Sequence, residues 1–471
     1  MKIEQIYTGC LAQGAYYITS GDEAIIIDPL RETGPYTSRA QSDGVRIKYI
    51  LETHFHADFV SGHVDLSKET GAQIVYGPKA NPEYPVHIAK DGEVLNFGKV
   101  AIKVLHTPGH TLESTCYLLI DEYGKEHAIF TGDTLFIGDV GRPDLAQKSA
   151  TMTMEQLAAT LYHSLRNKIM TLPDDVIVYP AHGAGSACGK HMSKETVSTI
   201  GAQKQNNYAL RADMTESEFV KEVTDGLLPP PGYFGMNVQM NRSGYDNIRE
   251  VMKRGLTPLN PSNFEMLAND TNAIILDARN PEDFSKGFIP NSINIGLDGQ
   301  FAPWVGAMLP NVKQEILLVT DKGREEETVS RLARVGYDYV LGYLQDGFQS
   351  WVAEKRDFDT IKRYDASDVN DFIDKSYKVI DVRKPTEFQS EHVLDATNIP
   401  LDFINEKMSE FPRNENFVLH CAGGYRSMIA ASILKSRGIE NFVEIRGGFN
   451  AILKTGVEIT QFICPSSGKV I

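Results

Sequence analysis

A multidomain α/β architecture is expected from three observations. The 471 residues exceed what one core usually organises, and at roughly 150 residues per domain they imply about three domains. The first half alternates short β-rich runs with turn signals and helical stretches, and the second half repeats itself. With 42% apolar and 23% charged residues, the chain has enough material for ordinary globular cores.

The runs "AIIIDP", "KYILETH", "QIVYGP", "VAIKVLHTPGH", "AIFTGD" and "VIVYPAHG" are rich in β-branched residues, and each ends in Gly, Pro, Asp or His. They read as strands, while "VSGHVDLSKET" and "MTMEQLAATLYHSLRN" between them read as helices. Polar chemistry therefore falls at strand ends, where a rigid strand delivers a side chain and the following loop is free to vary. From residue 201 to 257 the pattern changes. "LLPPPGYFGMNVQMN" reads as a connector, or as a strap laid on the first domain through Tyr233 and Phe234.

Beyond it, "IILDARNPEDFSKGFIPNSINI" (274–295) matches "VIDVRKPTEFQSEHVLDATNIP" (379–400), each strand ending in Asp-x-Arg. "ILLVTDKGREEETVSRLARVGY" then matches "FVLHCAGGYRSMIAASILKSRGI". A repeat of roughly 100 residues is too long for a solenoid, so it marks two copies of a small α/β domain. The expected domains are 1–255, 256–360 and 361–471.

A formal charge of −15 argues against nucleic acid or an anionic membrane as partner, and leaves low-molecular-weight anions open. No apolar run approaches the ~20 residues of a membrane span, and Met1–Gly9 lacks the regions of a signal peptide. Cysteines 10, 116, 188, 421 and 464 are odd in number and widely spaced. They are no disulfide framework and suit a reducing cytoplasm, the expected location. Cys188 reads as a buried residue or a pocket-rim thiol, and Cys464 receives no role.

"ETHFHADFVSGH" carries His54, His56 and Asp58, followed by "TPGHT" with His110, "TGDTLF" with Asp133 and "YPAHG" with His182. Each follows a strand-like run, and together they make a metal-ligand constellation. The set resembles the metallo-β-lactamase superfamily over about the first 200 residues, which implies an αββα sandwich there. In that family the histidine after the aspartate serves a second metal, but this chain has Phe59, which has no lone pair to give. Two histidines and one carboxylate on a single metal leave a face open for O₂ and substrate, the pattern of non-haem Fe(II) oxygenases.

"TGDTLFIGDVGRPD" and "PAHGAGSACGK" are similar to the persulfide dioxygenase branch. That resemblance implies one Fe(II) per chain on His54, His110 and Asp133. His56 would be a further ligand or an outer partner, and Asp58 and His182 would orient ligands. Arg142 is the candidate for holding the carboxylate or phosphate of a thiol carrier, against an ion pair with Asp139 or Asp144.

In "FVLHCAGGYRSMIAA" an apolar strand leads to Cys421, a glycine-containing loop, Arg426, Ser427 and a helix. Inward backbone N–H groups at a helix N-terminus form an anion cradle, and a cysteine there is a good thiolate. The text resembles the rhodanese family, including "DVR", "PTEF" and "IRGGF". The resemblance implies sulfur transfer through Cys421 with Arg426 beside it. Aligning "LLVTD" with "FVLHC" places Asp321 opposite Cys421, so the middle copy is expected to be inactive.

The expected activity is oxidation of a thiol persulfide (glutathione, coenzyme A or similar) by O₂ to sulfite, coupled to thiosulfate formation through Cys421. Such chemistry serves hydrogen sulfide detoxification, and a homo-oligomer is expected. A thioester hydrolase of the glyoxalase II type and a non-enzymatic sulfur-relay protein are the alternatives.

Overall fold

In the computed structural model, which describes residues 1–145, 152–227, 229–309 and 311–463, the apolar runs of the first half form two six-stranded sheets. Cys464 lies outside the described residues. The chain divides into two compact units, Met1–Glu250 with Leu332–Gly336, and Val251–Arg331 with Tyr337–Ile471.

In the first unit, one sheet runs in chain order from Lys2–Thr8 to His87–Ile88. The other runs Ser198–Thr199, Ile177–Pro180, Glu126–Gly132, Thr115–Ile120, Val100–His106, Val94–Phe97. Strand periodicity fixes what each face meets. Tyr16, Ile18, Ile25, Ile27, Tyr117, Leu119 and Phe130 share one core between the sheets. Their neighbours Ala15, Tyr17, Ala24 and Ile26 face outward onto Tyr36, Ala40, Val64 and Leu66 of two helices. On the far side, Cys116, Leu118 and Ile129 meet Ala158 and Leu161 of the helix Met154–Ser164. The result is a helix–sheet–sheet–helix sandwich. Leu161 is fully buried, and Leu161→Ala would cost about 2–5 kcal/mol.

Strand direction collects the chemistry. Glu23–Ile27 and Arg46–Glu52 are parallel, so Asp28 and His54 follow them at one edge. Glu126–Gly132 and Ile177–Pro180 are parallel as well, which brings Asp133 and His182 out together. Val100–His106 lies two antiparallel steps from Glu126–Gly132 and so delivers His110 to that same edge.

The region read as a connector or as a strap on the first domain is largely helical, with helices at Ile200–Asn206, Glu216–Thr224, Phe234–Ser243 and Ile248–Gly255, and Tyr233 and Phe234 are buried. The prolines fall between two of these helices, so they punctuate helices rather than mark an unpacked link.

The second unit holds two five-stranded sheets in which every pairing is parallel. Their strand orders match. The first is Pro258–Leu259, Val340–Leu344, Ile316–Val319, Ile274–Asp277, Ile293–Asn294. The second is Arg363–Tyr364, Phe442–Ile445, Phe417–His420, Lys378–Asp381, Thr397–Asn398. The repeat extends to hydrogen bonds. Arg279 pairs with Asp277 and Arg383 with Asp381. Asn294 donates to the carbonyls of Asp277 and Arg279, as Asn398 does to those of Asp381 and Arg383.

The structure corrects one equivalence. Asp277 pairs with Val319 while Asp381 pairs with His420, which sets Thr320, not Asp321, opposite Cys421. Gly347 approaches the Thr320 carbonyl as Gly448 approaches that of Cys421. The apolar run "ILLV" reads equally well one residue out of register, so text alone slipped. Thr320 has no thiol either, so the expectation of a copy without sulfur chemistry is unaffected.

Candidate metal centre and thiol loop

The metal-edge loops bring the expected residues together. His54, His110 and Asp133 each place a ligand atom within 4.8 Å of one another, as do His56, Asp58 and His182. His110 Nε2 lies 3.4 Å and His54 Nε2 3.9 Å from Asp133 Oδ2, and His182 Nε2 lies 3.5 Å from Oδ1. His182 Nε2 is also 3.4 Å from Asp58 Oδ2. All six side chains are buried.

The ring tautomers follow from their partners. Thr53 Oγ1 donates its one hydrogen to Asp28 Oδ2 at 2.8 Å, so it can only accept from His54 Nδ1 at 3.0 Å. His110 Nδ1 lies 2.8 Å from the Arg142 carbonyl and His182 Nδ1 3.3 Å from that of Ala12, so each Nδ1 donates. In all three rings the Nε2 lone pair is left facing Asp133. Burial, with His56, His110 and His182 nearby, holds the His54 pKa well below the usual histidine value and favours the neutral ring. Both carboxylate oxygens of Asp133, with Asp58 Oδ1 and His182 Nε2, are buried without a hydrogen-bond partner. Buried acceptors converging in this way fit a cation, and imidazole with carboxylate suits a borderline or harder transition metal.

His56 is shared between two groups: it offers a ligand atom to Asp58 and His182 and also one to Asp28 and Glu52, and its Nδ1 is buried without a hydrogen-bond partner. Its Nε2 sits 3.1 Å from Asp28 Oδ1 and 3.6 Å from Glu52 Oε2. Burial opposes its charge, but Asp28 and Glu52 push its pKa up to about 9. Phe59 is fully buried and stacks on this ring at 4.3 Å. The hydrocarbon ring thus walls His56 in rather than leaving a vacancy.

Other residues escaped sequence reading. Asn241, on the helix Phe234–Ser243, accepts from Ser61 N at 2.8 Å and donates to the carbonyls of His56 and Phe59, each at 2.8 Å. It fixes the loop carrying His56, Asp58 and Phe59, and its only sequence signal was the helical spacing of Asn237 and Asn241. Gly141 has a clearer signal inside "DVGRPD". A Cβ there would stand 2.0 Å from the Asp133 carbonyl and 2.9 Å from His110 Nδ1.

Arg142 is buried, and its guanidinium forks onto Asp144 at 2.6 and 2.7 Å and reaches the Ala187 carbonyl. Of the two partners weighed from sequence, the structure shows Asp144. Cys188 is 1% exposed, and burial, with Asp58 and Asp133 nearby, pushes its thiol pKa well up. It is held as a neutral thiol rather than an activated one.

In the second unit Cys421 follows the strand Phe417–His420, and Gly424 N donates to its Sγ at 3.1 Å. Gly424 takes φ +98° to open the helix Tyr425–Ser436, a conformation suited to glycine. Arg426 forks onto Glu387 at 2.6 and 2.8 Å, which gives the "PTEF" glutamate a role. Ser427 Oγ lies 3.4 Å from Sγ and 2.6 Å from Glu444 Oε1.

Comparison with known proteins agrees with both halves. The metallo-beta-lactamase superfamily model matches residues 8–182, and the rhodanese-like domain model matches 260–354 and 365–455. The mitochondrial persulfide dioxygenase of Homo sapiens is 35% identical over 222 residues, 46% of this chain and 78% of its own. A hydroxyacylglutathione hydrolase of Tolumonas auensis is 32% identical over 227 residues, 42% of this chain and 82% of its own. A metallo-beta-lactamase crystal structure from Staphylococcus aureus superposes with TM-score 0.64 at 32% identity, covering 73% of this chain and 98% of that one. The chain therefore belongs to the metallo-β-lactamase superfamily, with persulfide dioxygenase homologues over its first part and two rhodanese-like domains after it.

Proposed function

We propose that the chain is a non-haem iron persulfide dioxygenase fused to a sulfurtransferase, organised as domains 1–255, 256–360 and 361–471. The observation that carries this reading is the buried, unpartnered Asp133 carboxylate facing the Nε2 atoms of His54 and His110. One Fe(II) held there would supply O₂ chemistry at an open face. His182 and Asp58 orient the carboxylate side, and the Thr53 and Arg142 acceptors keep both histidine ligands in the required tautomer. Exchanging from Asp144, Arg142 is the candidate grip for the carrier's carboxylate or phosphate.

The reaction is RSSH + O₂ + H₂O → RSH + SO₃²⁻ + 2H⁺, in which the outer sulfur gives up four electrons to O₂. In the second domain type, the Cys421 thiolate attacks the outer sulfur of another persulfide. A bond forms to Cys421, the carrier's S–S bond breaks, and the carrier leaves as a thiolate. Sulfite then takes that sulfur, releasing thiosulfate and the Cys421 thiolate. Placing both activities on one chain raises the effective concentration of product near its consumer. Glutathione and coenzyme A persulfides are the proposed substrates, in a homo-oligomer working in a reducing cytoplasm. Cys10, Cys116, Cys188 and Cys421 are free thiols, which suits such a compartment. No helix among the described residues is long and apolar enough to cross a membrane.

The hydrolase alternative draws on the neighbouring groups His56–Asp58–His182 and Asp133–His182–Cys188, which offer donors for a second metal. Phe59 stands against it by removing one donor of the second metal. Anaerobically prepared protein tests the choice: iron content with O₂ uptake on glutathione persulfide supports the dioxygenase. Two zinc ions per chain with thioester cleavage and no O₂ uptake would replace it.

A further inference from the structure

Beside the thiol loop lies a buried carboxylate that sulfur transfer, as described so far, does not use. Glu444 sits in the strand Phe442–Ile445 and is fully buried. Its Oε1 faces Ser427 Oγ at 2.6 Å, and its Oε2 faces Arg363 Nε at 2.6 Å. Ser427 Oγ is also 3.4 Å from Cys421 Sγ. A serine hydroxyl has one hydrogen and cannot donate to both acceptors at once. The protonation state of Glu444 decides where that hydrogen goes.

We propose that Glu444 is a positioning residue for the Cys421 sulfur, acting through the Ser427 hydroxyl. When Glu444 is ionised it takes the serine hydrogen, and Sγ keeps the Gly424 N–H as donor but meets the lone pairs of the Ser427 oxygen, which favour the thiol. When Glu444 carries a proton it donates to Ser427, whose own hydrogen turns to Sγ and stabilises the thiolate. The pair therefore trades one proton, Cys421–SH with Glu444 ionised against the Cys421 thiolate with Glu444 neutral, and titrates as a unit. This assignment rests on the sulfur-transfer reading above.

The charged surroundings are defined. Burial raises the Glu444 pKa to about 7, against the lowering effects of Arg363, Ser427 and Arg446. The Glu444 carboxyl therefore gains or loses its proton near neutral pH. Arg426, the other cation by the loop, is turned to Glu387. Arg363 is shared: its NH1 binds Glu282 of the middle copy at 2.8 Å, and Arg446 reaches both Glu282 and Asp365. The copy without a thiol thus supplies the anion that competes with Glu444 for Arg363. The copies also meet where Tyr425 OH donates to the Gly296 carbonyl at 2.7 Å and Asn294 N to Ser432 Oγ at 2.9 Å.

The test is ultraviolet thiolate absorbance of the full metal-loaded chain across pH, taken as the difference against Cys421→Ser in each background. Glu444→Gln keeps a carbonyl for Arg363 and always donates to Ser427, so thiolate should appear about one pH unit lower. With Ser427→Ala also present, most of that shift should vanish. Ser427→Ala alone, which removes the donor, should move the thiolate to higher pH and serves if Glu444→Gln folds poorly. Glu282→Gln leaves Arg363 wholly to Glu444 and should also raise it, by less because Glu282 is 42% exposed. Superimposable curves for Glu444→Gln and wild type would overturn the proposal. So would an equal shift with and without Ser427, or a lowered midpoint in Glu282→Gln. If Cys421→Ser retains full sulfur transfer, the transfer reading itself falls, and the titration still decides the Glu444–Ser427 linkage separately.

Discussion

Asn241→Ala isolates the contribution of one residue remote in sequence from every metal-ligand motif. The change removes three hydrogen bonds of 2.8 Å, one from Ser61 N and two to the carbonyls of His56 and Phe59. At about 1 kcal/mol each they sum to about 3 kcal/mol. Asn241 is 1% exposed, so the abandoned groups reach water poorly, and desolvation raises the loss towards about 5 kcal/mol. Part of this falls on the loop that positions Asp58 and backs His54, so metal retention should fall about 10–100-fold, as for other outer supports of metal ligands. The assay is metal retained against a chelator series, alongside denaturant unfolding followed by fluorescence. Asn241→Asp should be no better, because a carboxylate oxygen would face two carbonyls. Unfolding within about 0.5 kcal/mol of wild type, the range of an ordinary surface substitution, together with unchanged metal retention, would refute the reasoning.

Thr53→Val keeps shape but removes the oxygen that accepts from His54 Nδ1 and donates to Asp28; metal affinity should drop about 10–100-fold by chelator competition. Phe59→His restores a donor beside Asp58, and metal analysis should then rise from about one ion per chain towards about two, with O₂ uptake reduced. Burial opposes the charge of Glu23, but Gly98 N, Lys48 and Arg46 hold its pKa at about 2 against the ordinary 4.5. A depressed carboxylate stabilises the fold above pH 4.5, and that contribution is lost as pH falls towards 2. Glu23→Gln should therefore flatten the acid limb of a thermal stability profile, modestly because solvent screens Arg46.

Motifs at strand ends were legible because polar residues interrupting apolar runs have few reasons to be there. His54, His110, Asp133 and His182 converge because parallel strands release their chains at one edge. Supporting residues were less legible. Thr53, Asp28 and Asn241 act through hydrogen bonds whose partners are set by tertiary packing, and Asn241 reaches back 185 residues to His56. Glu444 was hidden because a glutamate in a strand usually faces solvent, whereas here Arg363 and Ser427 meet it inside. The Thr320–Asp321 slip shows the limit of text alignment in a uniform apolar run, since only the ladder against Asp277 fixes the register. Text alone leaves the helix Phe234–Ser243 open between connector and strap because the prolines before it dominate the local signal.

Product stoichiometry with glutathione persulfide and O₂, for wild type and Cys421→Ser, separates persulfide oxidation from sulfur transfer in one assay. Wild type should convert part of its sulfite to thiosulfate, while Cys421→Ser should consume one O₂ per persulfide oxidised and accumulate sulfite alone. Thiosulfate from Cys421→Ser at the wild-type yield, or no O₂ consumption by iron-loaded protein, would contradict the proposed function.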